Sequence, residues 1–315
     1  MDQYKVEIIS REEKNQLMEK HVSKNLHERK AIIHGTCVKF FTDNHEFKDM
    51  WEDNFDLMPD WIRPHARLFA ISGPKLKVLY EPFSKTVIIE GCNYYGWVKS
   101  IALALVADFM EDFTSEHRRY SVHGSFVDVG GRGLAIIGPS GSGKTTLTYG
   151  LLLDKKSNFV TDDWFFVRLA QNETSVYSSE KNSYIRGDLE NSWPEYKNKL
   201  KGIKKDKQDR AIVDVKQLIG GDRIKQESIL SLTILLTRDK KLPVETKLDK
   251  YEALEFMMDN DFCNPHQLIR NEEKSKQRIS FFRELFSRTP VYLLNTIETP
   301  EQSLTRLKTL IKKEV

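Results

Sequence analysis

Beyond residue 117 the apolar positions fall in short runs whose spacing alternates between strand-like and helix-like, which predicts an α/β domain. Residues 122–129 read as a strand, and Leu134-Ala135-Ile136-Ile137 is an unbroken apolar run between glycines. A helix is predicted over 144–153, followed by an apolar strand over 159–167 interrupted by Asp162 and Asp163. Further on the pattern gives a strand over 229–236, helices over 250–258 and 272–286, and a strand over 290–295. The final helix has a legible start: Thr299 as N-cap, Pro300 at the first position and Gln302 completing a capping box. Leu304, Leu307, Leu310 and Ile311 give it one apolar face.

Residues 1–117 read differently and are assigned to a separate N-terminal α+β domain of unknown role. A charged helical stretch over 11–30 precedes strands over 31–41, 65–71, 76–80 and 86–90, and a helix over 96–112 carries a wide apolar stripe that predicts burial. The segment 178–210 stands apart again. It is polar and lysine-rich, with Lys197, Lys199, Lys201, Lys204, Lys205 and Lys207, and its place between two strands reads as a lid or as a solvated insertion.

Composition changes this picture little. A length of 315 residues allows two domains, and a net charge of +3 with 30 % charged residues is no nucleic-acid footprint. No apolar run approaches a membrane span and the first residues lack the apolar core of a signal peptide, so a cytoplasmic location is expected. Cys37, Cys92 and Cys263 are widely separated and imply neither a disulfide framework nor a zinc site.

The strongest chemical signal is Gly138-Pro139-Ser140-Gly141-Ser142-Gly143-Lys144-Thr145, a full G-x-x-x-x-G-K-[ST] phosphate loop between a strand and a helix, with Thr146 next in the helix. Glycines let the backbone amides curl around phosphate oxygens, and the helix start adds unpaired N–H groups and a positive dipole end. Lys144 is expected to reach the β- and γ-phosphates and Thr145 to ligate Mg²⁺, so ATP and Mg²⁺ are the expected cofactors. A crossover from this loop returns the chain parallel to its starting strand, bringing Asp162 and Asp163 to the same sheet edge. Neighbouring strand residues point to opposite faces, so one acid, with Asp163 the candidate, can hold the metal while the other faces the incoming nucleophile, and which takes which role stays open.

Together, Tyr120 to Thr145, with His123-Gly124, Val127-Asp128 and Gly133 ahead of the loop, then Val160-Thr161-Asp162-Asp163 and Ile212 to Ile224, resemble the bacterial HPr kinase/phosphorylase catalytic domain. The resemblance implies a kinase fold related to phosphoenolpyruvate carboxykinase over residues 118–315. It also implies γ-phosphoryl transfer to a hydroxyl, with His123, Lys144, Thr145, Asp162 and Asp163 at the family's site positions. One signature departs. Where the family carries Glu-Ile-Arg-Gly-Leu-Gly, this chain has Asp206-Lys207-Gln208-Asp209-Arg210-Ala211, with a displaced echo at Ile185-Arg186-Gly187. Asp206 and Asp209 are candidates for the missing acid, and Arg186 and Arg210 for gripping a phosphoryl group or an anionic acceptor.

The leading expectation is a kinase whose acceptor is a protein serine or a small molecule. Competing readings are a nucleotide-hydrolysing switch that acts on a partner, and an RNA or nucleotide kinase. The chain lacks the Leu-Ser-Gly-Gly-Gln signature of transporter ATPases and the Asn-Lys-x-Asp of guanine-nucleotide switches. A homo-oligomer is compatible with the apolar face of the last helix, and no membrane partner is expected.

Overall fold

A computed structural model describes residues 4–22, 25–114, 117–186, 189–206 and 209–314, without the side chains of residues 22 and 186. The chain forms two units, Met1–Arg118 with Pro265–Arg270, and Arg119–Asn264 with Asn271–Val315. The first unit therefore draws on two separate stretches of sequence.

In the first unit the elements are β1 (Val6–Ile8), α1 (Arg11–Val22), β2 (His27–Ile33), β3 (Thr36–Thr42), α2 (His45–Asn54), β4 (Asp56–Leu57), β5 (Ala66–Ile71), β6 (Lys77–Glu81), β7 (Thr86–Glu90) and α3 (Tyr95–Glu111). The strands make one sheet in the order β1-β6-β7-β5-β3-β2-β4, with β3, β5 and β7 as parallel neighbours. Helix α3 is buried along nearly its whole length, as its apolar stripe requires.

Two sequence expectations need correction in this unit. The charged helix stops at Val22, because the chain from His27 on pairs as a strand, and the single strand expected over 31–41 is a hairpin of β2 and β3. His34 and Gly35 turn it with φ of 44° and 76°, the paired left-handed conformation that suits a two-residue hairpin loop. Helix α2 was not expected. Asn44 caps it by accepting from the Phe47 amide at 3.2 Å, and Phe47, Met50 and Trp51 bury its inner face.

The second unit contains β8 (Tyr120–Val129), β9 (Arg132–Ile137), α4 (Lys144–Leu152), β10 (Ser157–Thr161), β11 (Trp164–Leu169), β12 (Thr174–Ser178), β13 (Asn182–Arg186), α5 (Leu189–Ser192), α6 (Lys197–Leu200), β14 (Arg210–Asp214), α7 (Val215–Ile219), β15 (Glu227–Thr237), β16 (Glu245–Leu248), α8 (Lys250–Asp259), α9 (Glu272–Arg288), β17 (Val291–Asn295) and α10 (Pro300–Glu314). Its main sheet runs β10-β8-β11-β12-β15-β17-β16, with β9 paired to both β8 and β15, and β13 and β14 form a separate two-stranded arm.

The unbroken apolar run of β9 is explained by burial on both faces. Leu134 and Ile136 join a core with α4, α10 and the arm, whereas Ala135 and Ile137 join the core beneath α8 and α9. Helix α10 starts as its sequence predicts. The Thr299 amide donates to Gln302 Oε1 at 3.1 Å, the Gln302 amide donates back to Thr299 Oγ1 at 3.3 Å, and Leu304, Leu307, Leu310 and Ile311 pack into the α4 core.

Candidate active site

The glycine-rich loop sits between β9 and α4, where the sequence places it. Gly141 and Gly143 have φ of 82° and 97°, and Gly143 is the N-cap of α4, so both hold backbone conformations that other residues adopt only with strain. Gly138 is required for a different reason. A Cβ there would lie 2.6 Å from Ser142 Oγ and 2.8 Å from the Leu236 carbonyl oxygen.

Lys144 folds back over the loop, its Nζ donating to the carbonyls of Gly138 at 2.6 Å and Pro139 at 3.2 Å. The loop is also held from outside. Thr296, just past β17, donates through Oγ1 to the Ser142 carbonyl at 2.8 Å, a contact that no local motif announces.

The acid pair departs from its expected setting. Asp162 and Asp163 do not lie within a strand; they occupy a bend between β10 and β11, both of which run antiparallel to β8. Side-chain hydroxyls hold the bend. Thr161 Oγ1 and Ser179 Oγ both donate to the Trp164 carbonyl, at 2.7 and 2.8 Å. The two acids consequently differ by burial rather than by strand face: Asp162 is 8 % exposed, while the Asp163 side chain is 37 % exposed.

Register fixes how the pair relates to the loop. The Gly124 amide donates to the Asp163 carbonyl at 2.9 Å, and Gly124 is itself the cross-strand partner of Ile137, the residue before Gly138. Two strand spacings, about 10 Å of backbone, therefore separate the acid bend from the start of the loop. Tyr149 of α4 is fully buried, and burial first and the Asp162 charge second push its phenol far above the usual range.

His123 lies within this arrangement. Its Nε2 is 3.3 Å from Asp163 Oδ1, and its ring stacks on Trp164 with centroids 5.7 Å apart.

The residues proposed from the lysine-rich insertion are arranged otherwise. Asp206 and Arg210 pair with each other, Nε to Oδ2 at 2.9 Å, and the Arg210 guanidinium lies 5.2 Å from the Tyr184 ring. Burial lowers Arg210 to about 10. Asp209 is largely exposed and pairs with Lys205 at 2.8 Å. Arg186 stands opposite Arg210 at the tip of the arm, about 13 Å along the strand from Asn182. The Arg186 side chain, Gly187, Lys207 and Gln208 lie outside the described residues.

The insertion is more than a solvated loop. Trp193 Nε1 donates to the Thr146 carbonyl at 2.8 Å and Tyr196 Oη to the Tyr149 carbonyl at 2.9 Å, so two aromatic residues fasten it to the helix that begins at Lys144. Lys197, Lys199, Lys201, Lys204 and Lys205 remain exposed around them.

Among the described residues no group of three or more His, Cys, Asp or Glu side chains forms a metal cluster. The donor set nevertheless suits magnesium, which keeps several waters and takes one or two carboxylates together with phosphate oxygens. The open-backbone loop at a helix start likewise suits a polyphosphate.

No family model matches the chain. Its curated relatives agree with one another: the HPr kinase/phosphorylases of Chlorobium limicola (36 % identical over 84 residues, 27 % of this chain and 24 % of that one), Chlorobium luteolum (30 % over 145 residues, 46 % and 38 %) and Lachnoclostridium phytofermentans (29 % over 165 residues, 51 % and 47 %). Parts of the chain are thus similar to HPr kinase/phosphorylases. It spans about a quarter to a half of the length of the curated relatives that it matches. A solved structure, the Hpr(Ser) kinase/phosphatase from Coxiella burnetii, aligns with 61 % of this chain and 97 % of its own, at 16 % identity and a TM-score of 0.37. No helix among the described residues is long and apolar enough to cross a membrane.

Proposed function

We propose that the chain is a kinase that transfers the γ-phosphate of ATP, with Mg²⁺, to a hydroxyl acceptor on a protein serine or a small molecule. The reading is carried by one observation: the Asp162-Asp163 bend and the start of the phosphate loop lie at one sheet edge, two strand spacings apart and joined through Gly124. The curated relatives named HPr kinase/phosphorylase support the same reaction class.

Bound ATP with Mg²⁺ supplies the transferable phosphoryl group and the charge that offsets its oxygens. The backbone amides of Gly138 and of residues 140–146 would cradle the phosphates, and Lys144 would turn from the Gly138 and Pro139 carbonyls to the phosphate oxygens. Thr145 and the more exposed Asp163 would hold the cation, with His123 orienting Asp163. Asp162 accepts the proton of the acceptor hydroxyl. A loose transition state asks little activation of the nucleophile, so a carboxylate of ordinary strength is adequate.

The test is incubation of purified protein and γ-labelled ATP with a cell extract split into protein, RNA and small-molecule fractions, with Lys144→Ala as the blank. Label is expected in the protein or small-molecule fraction. ATP turnover that needs Lys144 but labels no fraction overturns the kinase reading in favour of a hydrolysing switch, and label confined to RNA overturns the acceptor class.

A further inference from the structure

The phosphate loop has two flanks. Strand β9, which feeds the loop, lies between β8 and β15, and β17 lies beyond β15, with β9, β15 and β17 parallel. The acid bend stands on the β8 flank. On the other flank the carboxyl ends of β15 and β17 reach the same edge as the loop: Thr237 pairs with Asn295, and the Leu236 carbonyl would crowd any side chain at Gly138.

The first residue beyond β15 is Arg238. Its Nε donates to the Thr296 carbonyl at 3.0 Å, and Thr296 is the residue whose Oγ1 holds the Ser142 carbonyl of the loop and which lies 3.8 Å from where a Cβ on Gly143 would stand. The guanidinium is thus tied to the loop through a single residue. The turn that follows is held as firmly. Asn295, 1 % exposed, accepts from the Asp239 amide at 3.1 Å and donates to the carbonyls of Asp239 at 2.6 Å and Leu242 at 3.0 Å.

Arg238 is nonetheless exposed, and among the described residues its Nη groups make no hydrogen bond or ion pair. A bond at Nε fixes the plane of a guanidinium and leaves its face and outer edge open, the arrangement in which arginine stacks on flat rings. Ile297, which follows the carbonyl that Arg238 grips, is 41 % exposed and adds an aliphatic side chain to the same flank.

The run of a bound nucleotide follows from the two flanks. The cation and the acceptor belong to the acid flank, so the γ-phosphate points toward β8 and the nucleoside leaves the loop toward β15 and β17. A purine is uncharged and offers two flat faces, which suits a planar guanidinium and an aliphatic neighbour.

We propose that Arg238 is the base-binding residue of the nucleotide site, its guanidinium stacking on the purine of ATP with Ile297 as the apolar neighbour. The inference rests on the nucleotide site proposed above.

The test measures, by isothermal titration calorimetry with Mg²⁺, the Kd of ATP and of inorganic tripolyphosphate, which has the phosphates but no base. The proteins are wild type, Lys144→Ala, Arg238→Gln, Arg238→Lys and Ile297→Ala, with circular dichroism to report folding. Arg238→Gln is expected to raise the Kd of ATP by about tenfold and to leave that of tripolyphosphate within about twofold of wild type. Arg238→Lys keeps the charge but not the plane, and is expected to bind ATP no better than Arg238→Gln. Ile297→Ala is expected to weaken ATP alone, by about threefold. Folded Arg238→Gln with wild-type affinity for ATP overturns the proposal. An equal loss for ATP and tripolyphosphate, or full rescue by lysine, also overturns it, since either assigns the arginine to the phosphates. If Arg238→Gln does not fold, Arg238→Lys and Ile297→Ala decide by the same comparison of the two ligands. Lys144→Ala is expected to weaken both ligands. Wild type that binds neither, or binds both equally well without Lys144, overturns the underlying site reading and this inference with it. A site that needs Lys144 but binds ATP alike in wild type and Arg238→Gln overturns this inference alone.

Discussion

His123 sits beside Asp163, the residue before its cross-strand partner Trp164: the imidazole Nε2 lies 3.3 Å from the carboxylate Oδ1, and the next amide, that of Gly124, donates to the Asp163 carbonyl. Both the side chain and the backbone of Asp163 are thus held by adjacent residues of β8. An acid fixed in this way is pre-aimed rather than free to rotate.

His123→Ala is accordingly expected to lower phosphoryl transfer by roughly 10- to 100-fold, the usual cost of removing a residue that orients a metal-binding group. Nucleotide affinity without metal should stay within about twofold of wild type, since His123 does not contribute to the loop. Steady-state turnover together with a metal-free binding titration checks both halves.

Gly138→Ala is expected to abolish nucleotide binding while leaving most of the fold intact. Its Cβ would meet the Leu236 backbone oxygen at 2.8 Å, and backbone does not yield as a flexible side chain does. A second phosphate-loop variant, Lys144→Ala, should also lose binding but without any clash, so a fall in Tm confined to Gly138→Ala would separate sterics from chemistry.

Gly150 marks where the insertion grips α4. A Cβ there would sit 2.6 Å from Trp193 Cζ2, so Gly150→Ala must displace the indole and break its bond to the Thr146 carbonyl. Trp193→Phe removes only that hydrogen bond and is expected to cost about 1 kcal/mol, whereas Trp193→Ala leaves a cavity costing about 3–5 kcal/mol. Chemical denaturation of the three variants measures the difference.

Asp128 gives the fold an acid-sensitive joint at the opposite end of β8. Burial alone would raise its carboxyl, but hydrogen bonds from Ser228, Lys225, Asn158 and the Gly131 amide outweigh burial and hold it below the usual range. A carboxyl depressed in the folded state adds stability that is complete above its unfolded value, about pH 4, and is lost as pH falls through the lower folded value. Asp128→Asn should therefore lower Tm at pH 7 and flatten its fall below about pH 4. Equal acid slopes for wild type and variant would exclude Asp128 as the source.

What the sequence disclosed follows a physical divide. The phosphate loop, the capped start of α10 and the buried stripe of α3 were legible because their determinants lie within a few residues of one another. The acid doublet was visible in the sequence but its geometry was not, since its bend depends on Thr161 and Ser179 meeting the Trp164 carbonyl. Thr296, which steadies the loop from far along the chain, carries no local signal at all. Trp193 and Tyr196 were masked by the lysines around them, and their role appears only once α4 is in place.

The passage of Pro265–Arg270 into the first unit bears on how the protein can be dissected. Tyr4 lies with its hydroxyl 2.6 Å from His266 Nδ1, so a fragment ending at Arg118 would be missing part of its own packing. A fragment beginning at Arg119 would carry that stretch with no host. Truncation experiments that assign roles to the two halves will need designs that respect this exchange, such as grafting residues 265–270 onto the shorter piece through a linker.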